Sequence, residues 1–324
     1  DGVPSHASQW LLRDVLRKEW GFEGYVVSDY YALRELNDRQ GLFGHGVASN
    51  SEEAAKLAEE AGVNIEMPER DVYHEGLKSL IEKGIVTEKQ IDDLVGPMLA
   101  VKFRLGLFDD PYVDPDKAKE VVGNQKHREL ALEAARKAIT LLQNRNDLAP
   151  FDKQKIKKIA VIGPNAYRVL LGGYSGEPKF KVNVLEGIRQ RVGDQMEILY
   201  AEGCKITTTS GWTEDEVLLN DPADDRILIA EAVKVARQAD VILLAIGGNE
   251  QTSREAWAST HMGDRTDLQL VGLQDELINA LAKTGKPIAA FVFNGRPLAF
   301  TNLIEKVDAV FECWYLGQEA GLAV

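Results

Sequence analysis

The stretch Gly21-Phe-Glu-Gly-Tyr-Val-Val-Ser-Asp29 decides how the first third of this 324-residue chain is read. Tyr25, Val26 and Val27 form a short aromatic and β-branched run bounded by Gly21 and Gly24, the pattern of a strand buried on both faces. The run ends on Asp29. In parallel α/β architectures the loops that carry chemistry gather at the carboxyl ends of strands, while the opposite ends serve stability. Asp29 is therefore the first candidate for a reacting residue; the competing reading is an aspartate that caps the turn after the strand.

Upstream, Trp10, Leu11, Val15 and Leu16 recur at helical spacing with Arg13, Asp14, Arg17 and Lys18 opposite, which predicts a helix over 5–20 feeding that strand. Downstream, a polar and glycine-rich loop over 37–51 leads to a helix over 51–61 that Ser51 and Glu53 start, then to a second short strand over 62–68 closed by Pro68. Alternating helix and strand is the α/β rhythm. Two amphipathic helices follow over 72–83 and 87–105. Gly106-Leu-Phe-Asp-Asp-Pro-Tyr-Val-Asp-Pro115 has no period and reads as a linker. Beyond it the pattern predicts an Ala-rich helix over 127–142 and strands over 156–163, 197–200, 239–246, 287–293 and 309–314. Helices over 227–238 and 273–283 intervene, giving a second, parallel, doubly wound sheet. A closed (β/α)₈ barrel takes about 250 residues, so a first part of about a hundred with two strands is at most a portion of one.

Composition bounds the partners. A net charge of -13 and a pI near 5.0 oppose binding to a nucleic-acid backbone and read as solubility. No apolar run approaches the roughly 20 residues that span a bilayer, so no membrane partner is expected. Cys204 and Cys313 lie far apart with no CxxC, which predicts neither a disulfide framework nor a cysteine zinc site. The start, Asp1-Gly-Val-Pro-Ser-His6, is neither a signal peptide nor a methionine start and reads as the middle of a longer chain; the compartment stays open.

A second stretch with chemical content follows the 239–246 strand: Gly247-Gly-Asn-Glu-Gln-Thr-Ser-Arg-Glu-Ala-Trp257, then His261-Met-Gly-Asp-Arg265. Glutamates, arginines, an aspartate and a histidine in one loop at a strand's carboxyl end read either as an active-site loop or as a salt-bridged surface loop. Gly172-Gly-Tyr-Ser-Gly176 lacks the GxGxxG spacing of a dinucleotide site.

These residues carry a resemblance. Asp-Gly-Val-Pro-Ser-His-Ala at 1–7, Gly-Phe-Glu-Gly-Tyr-Val-Val-Ser-Asp-Tyr at 21–30 and Gly-Val-Asn-Ile-Glu-Met-Pro at 62–68 are similar to the last third of the barrel of glycoside hydrolase family 3. Leu-Leu-Gln-Asn at 141–144, Ile-Ala-Val-Ile-Gly-Pro-Asn at 159–165, Gly-Gly-Tyr-Ser at 172–175, Ser-Arg-Glu at 253–255, Gly-Asp-Arg at 263–265, Asn-Gly-Arg-Pro-Leu at 294–298 and Gly-Gln-Glu-Ala-Gly at 317–321 resemble that family's α/β sandwich domain in order. The resemblance implies the C-terminal portion of a (β/α)₈ TIM-like barrel over 1–108, an interdomain linker over 109–126, and an α/β sandwich domain with a mostly parallel sheet over 127–324, truncated at its end. It implies a retaining exo-acting β-glycosidase of β-glucosidase or β-xylosidase type, acting on an oligosaccharide or β-glycoside with no metal or organic cofactor. Members of the family are often periplasmic or secreted.

Carried over residue by residue, Asp29 becomes the nucleophile and Glu255 the general acid/base, with Glu250 its rival. Tyr30 and Tyr174 stand where relatives often carry Trp and would stack on the sugars. Arg254 and Arg265 join the substrate-binding set. Retaining hydrolysis needs one ionised carboxyl and one protonated carboxyl about 5–5.5 Å apart. An arginine paired with Glu255 would hold it ionised, so both arginines are expected to face Asp264, Asp267 or other partners. The alternatives are β-xylosidase specificity, a phosphorolytic member using His261, and an inactive carbohydrate-binding fragment. Relatives bind the non-reducing sugar with an Asp, an Arg and a Lys-His pair from earlier barrel strands, none of which is in this sequence, so a fragment with exposed strand edges is expected.

Overall fold

The computed structural model describes residues 2–39, 44–68, 70–255 and 264–324. Two compact units divide the chain at residues 114 and 115. Pro115–Val121 is helical and lies inside the 109–126 stretch.

In residues 1–114, β1 (Val27–Tyr30) and β2 (Ile65–Met67) pair in parallel, Val27 opposite Ile65 and Tyr30 opposite Met67. The same unit holds helices Trp10–Glu19, Ser51–Ala61, Tyr73–Glu82 and Glu88–Arg104. Trp10–Glu19 is wound in the wide π form. The Asn50 side chain, not Ser51, caps Ser51–Ala61 by accepting the Glu53 N–H at 2.9 Å, and Gly62 closes that helix at φ +91°. Ala54, Ala55, Ala58 and Ala61 are fully buried and give the helix a small face. That face joins Leu12, Leu33, Leu36, Val63 and Leu80 in one core.

Strand β1 departs from the expectation in two ways. It begins at Val27 instead of Tyr25, because the Val26 N–H is taken by the Asn64 side chain at 2.8 Å rather than by a neighbouring strand. It is also not buried on both faces: only Ser28 is buried, while Val27 is 44% and Tyr30 61% exposed. Among the described residues its only strand partner is β2, so one edge has no ladder.

Residues 115–324 build a six-stranded sheet from β3 (Thr140–Asn144), β4 (Lys158–Ile162), β5 (Glu197–Ala201), β6 (Val241–Gly247), β7 (Ile288–Phe293) and β8 (Ala309–Glu312), in the order β3-β8-β7-β6-β4-β5. It is mixed, not wholly parallel, since β3 runs antiparallel to β8. The helix expected over 127–142 spans Gln125–Ala138; Ile139 is extended and Leu141 and Leu142 belong to the edge strand. Consecutive β-branched Ile139 and Thr140 favour a strand over another helical turn.

Both faces of this sheet are covered. Ile242, Leu244, Ile246, Ala290 and Val292 point into one apolar layer with helices Pro222–Gln238 and Gln274–Ala282. Val241, Leu243, Ala245, Ala289, Phe291 and Phe293 point into the other, with Gln125–Ala138 and Val184–Val192. That is why β6 and β7 read as unbroken apolar runs. Strand order reverses at β4, whose neighbours are β5 and β6, so a crevice opens at the carboxyl ends of β4 and β6. Gly163 and Gly247 end these strands at φ +123° and +133°, and a Cβ on either would collide with the carbonyl of Ala245 or Phe293.

Candidate active site

Asp29 lies at the carboxyl end of β1 with an exposed side chain, and hydrogen bonds hold its backbone on both sides. Its N–H donates to Nε2 of His6 at 3.3 Å, and its carbonyl accepts from the Ser28 hydroxyl at 2.8 Å. The buried Ser28 Oγ also accepts the Met67 N–H at 2.9 Å, tying β1 to β2. Asp29 Oδ1 accepts the N–H of its neighbour Tyr30 at 2.7 Å, which orients the carboxylate. The next residue, Tyr31, sits in the left-handed region at φ +60°, which bulky residues rarely adopt, and donates its N–H to Met67 O at 2.9 Å. The Arg34 guanidinium lies 4.3 Å from the Tyr31 ring centroid. Partial burial pushes the His6 pKa down; the Asp29 charge opposes that shift and His45 adds to it. Glu66, in the middle of β2, is used structurally: its carboxylate accepts the N–H groups of Val72 and Tyr73 at the start of helix Tyr73–Glu82. Burial raises its pKa despite those bonds.

The β4/β6 crevice holds the other candidates. Asn249 caps the short helix Glu250–Ser253, and its amide donates to Thr207 Oγ1 at 2.7 Å in the interior. Glu250 Oε1 accepts the N–H groups of Leu171 and Gly172 at 3.1 and 3.4 Å, so its carboxylate pins the loop that carries Tyr174. Tyr174 is 96% exposed and meets Trp212 edge-on at 5.2 Å. Arg254 is only 6% exposed; it donates to the carbonyls of Trp212 and Glu214, with its guanidinium 5.6 Å from the Trp212 ring centroid. Burial lowers its pKa, opposed by Asp215 and Glu214. Gln251 holds the same loop through Thr209, Gly211 and Glu214, each at 3.0 Å.

Glu255 follows directly and is exposed. Its chain is fixed just upstream by Ser253, bonded to the Tyr315 hydroxyl at 2.8 Å, and by Arg296, which donates to Arg254 O at 3.4 Å. Arg265 pairs with Asp267 at 2.9 Å and donates to Gln269 O at 2.7 Å. Among the described residues no ion pair joins either arginine to Glu255. A cleft of about 690 Å³ lies here, lined by Tyr167, Arg168, Gly172, Gly173, Trp212 and Glu250 among others. His261 and Trp257 lie outside the described residues.

The structure thus brings Asp29 and Tyr30 together in one unit, and Tyr174, Glu250 and Arg254 together in the other, with Glu255 next to Arg254. Sequence reasoning missed three partners. His6 was visible only as part of the 1–7 motif, and Trp212 and Tyr315 sit in loops whose spacing carries no signal. Among the described residues no group of three or more His, Cys, Asp or Glu side chains is placed to hold a metal ion.

The sequence matches the N-terminal domain model of glycosyl hydrolase family 3 over residues 1–101 and the C-terminal domain model of that family over 139–324. A β-xylosidase of Formosa agariphila is 39% identical over 100% of this chain and 43% of its own length, and a periplasmic β-glucosidase of Salmonella typhimurium is 38% identical over 100% and 42%. The chain therefore spans about two fifths of the curated relatives it matches. A solved β-glucosidase from Erythrobacter marinus superposes with a TM-score of 0.91 at 42% identity, covering 100% of this chain and 43% of that one. With the two domain models matched in order along it, the chain belongs to glycoside hydrolase family 3.

Proposed function

We propose that this chain carries the reacting carboxylates of a retaining, exo-acting β-glycosidase that releases terminal β-D-glucosyl residues from the non-reducing ends of oligosaccharides or β-glycosides. Asp29 attacks the anomeric carbon while Glu255 donates a proton to the leaving oxygen; water then cleaves the glycosyl ester with Glu255 as base. The observation that carries this reading is the exposed Asp29 carboxylate at the end of β1, with its backbone held by His6 and Ser28. Glu250, occupied by two backbone N–H groups, fits a structural role better than proton transfer. Tyr30 and Tyr174 offer exposed aromatic faces for sugar stacking. Arg254 acts through the 209–214 loop it holds, and Arg265 through Asp267. In the same reading residues 1–108 are part of a (β/α)₈ barrel, 109–126 the linker and 127–324 the sandwich domain.

Xyloside specificity is the second reading, favoured by the near-equal identity to a β-xylosidase and a β-glucosidase. Activated 2-deoxy-2-fluoro glucoside and xyloside, each presented to the chain with the upstream barrel strands restored, decide between them by peptide mass spectrometry. A glucosyl adduct on Asp29 is the expected result; an adduct on another carboxylate removes Asp29 from the nucleophile's role.

A further inference from the structure

His6 faces Asp29 from a short turn, Ser5–Ala7, that is closed by the Ala7 N–H on Pro4 O at 2.9 Å and packs against helix Ser51–Ala61. Ala7 reaches the core of this unit, so the imidazole stands on an anchored piece of backbone. Because the Asp29 N–H can only donate, Nε2 of His6 must present its lone pair, and the ring's proton resides on Nδ1. That bond, the Ser28 hydroxyl on Asp29 O and the Tyr30 N–H on Asp29 Oδ1 together fix the peptide plane and the carboxylate direction of one residue. Protonated His6 carries N–H at both ring nitrogens. Two donors then face each other, the bond to Asp29 is lost, and an imidazolium stands beside the carboxylate. Among the described residues the titratable neighbours that act on His6 are Asp29 at the end of β1 and His45 in the loop ahead of helix Ser51–Ala61, where the His45 N–H is tied to Glu35 O at 2.8 Å.

We propose that His6 is a positioning residue for Asp29: its neutral imidazole holds the carboxylate in the attacking orientation, and its protonation releases that hold and pairs a cation with the nucleophile. The acid limb of the glycosylation rate is then set by a histidine that touches no substrate. This rests on Asp29 being the nucleophile.

The test uses the chain with the upstream barrel strands restored, as itself and in two variants. His6→Gln keeps an acceptor of similar reach and cannot titrate, whereas His6→Leu has no acceptor. Trapping by the activated 2-fluoro glucoside is followed against pH. For the unsubstituted chain the rate falls on the acid side with a midpoint below that of a free histidine, the direction in which burial moves His6. His6→Gln traps within about threefold of it at pH 7 and shows no such limb, while His6→Leu is slower by about tenfold or more in the trapping rate constant with little change in reagent affinity. A His6→Leu chain that traps at the unsubstituted rate, or an unchanged acid limb in His6→Gln, overturns the inference.

Ring nitrogen NMR on ¹⁵N-histidine-labelled chain needs no turnover. The expected state at high pH is Nε2 unprotonated, with the Asp29 amide shift following the His6 titration and displaced in His6→Leu. If Asp29 takes the label while its amide is indifferent to His6, the positioning role falls alone. An unlabelled Asp29 whose amide does follow His6 would sink the nucleophile assignment and the positioning role with it, leaving only the hydrogen bond.

Discussion

Strands β1 and β6 are both parallel strands with a candidate carboxylate at or beyond their carboxyl ends, Asp29 within β1 and Glu255 in the segment after β6, yet they hold those ends by different means. All seven residues of β6 are buried, between two apolar layers, and the chain beyond is fixed by interior polar bonds: Gln274 to both sides of the Gly247 peptide at 2.8 and 2.9 Å, and Asn249 to Thr207. Strand β1 buries one residue, and its end is held by hydrogen bonds alone, among immediate neighbours, to Met67 of β2 and to one histidine. Where two packed faces exist, packing fixes the strand and buried polar bonds fix the loop beyond it. Where they do not, local hydrogen bonding must.

The largest expected difference between the two is catalytic. Asp29→Asn is expected to lower the glycosylation rate by at least about 10³-fold, roughly 4 kcal/mol, with a urea midpoint almost unmoved because the side chain is exposed. A large loss of stability in that variant would erase the distinction between a held strand and a presented carboxylate. The converse applies to the cores: Leu244→Ala should cost about 3 kcal/mol of folding stability, and Val27→Ala under about 1 kcal/mol, read by urea denaturation. Equal costs would mean that β1 is packed as tightly as β6.

A smaller effect sharpens the role of the 209–214 loop. Arg254→Met removes the donor from the Trp212 and Glu214 carbonyls and should cost about 2 kcal/mol, with the fluorescence of Trp212 moving toward that of exposed indole. The smallest effect lies in the first unit. Burial raises the pKa of Glu59, against the Gln90 side chain at 3.2 and 3.3 Å and Arg13 at 3.9 Å. The folded state therefore keeps its proton after the unfolded chain has released it near the ordinary value of about 4.3. Stability from this group is full below that pH and is lost as pH rises through the raised value. Glu59→Gln should thus overtake the parent chain above that window by about 1 kcal/mol or less, the gap closing toward pH 4 in a urea-midpoint series.

Much of the second unit was legible because β4, β6, β7 and β8 are continuous apolar runs between helical segments, and burial on both faces leaves no other pattern. Thr140–Asn144 was not, since an edge strand with exposed Leu141 and Leu142 looks like the tail of an amphipathic helix until β8 is there to pair with it. The start of β1 was misplaced for a similar reason: nothing local says that Asn64, distant in sequence, takes the Val26 N–H.

The residue types and their order determined the α/β class, the two-part organisation, Asp29 at a strand end and an acidic loop after β6, because strand burial and turn chemistry are local constraints. Only the tertiary structure decided which carboxylates are tied up and which are presented. Glu250 and Glu66 accept backbone N–H groups from other segments, Asp29 and Glu255 remain exposed, and His6 comes to face Asp29. A side chain's hydrogen-bond partners are set by which backbone atoms packing brings beside it, and spacing along the chain does not encode that.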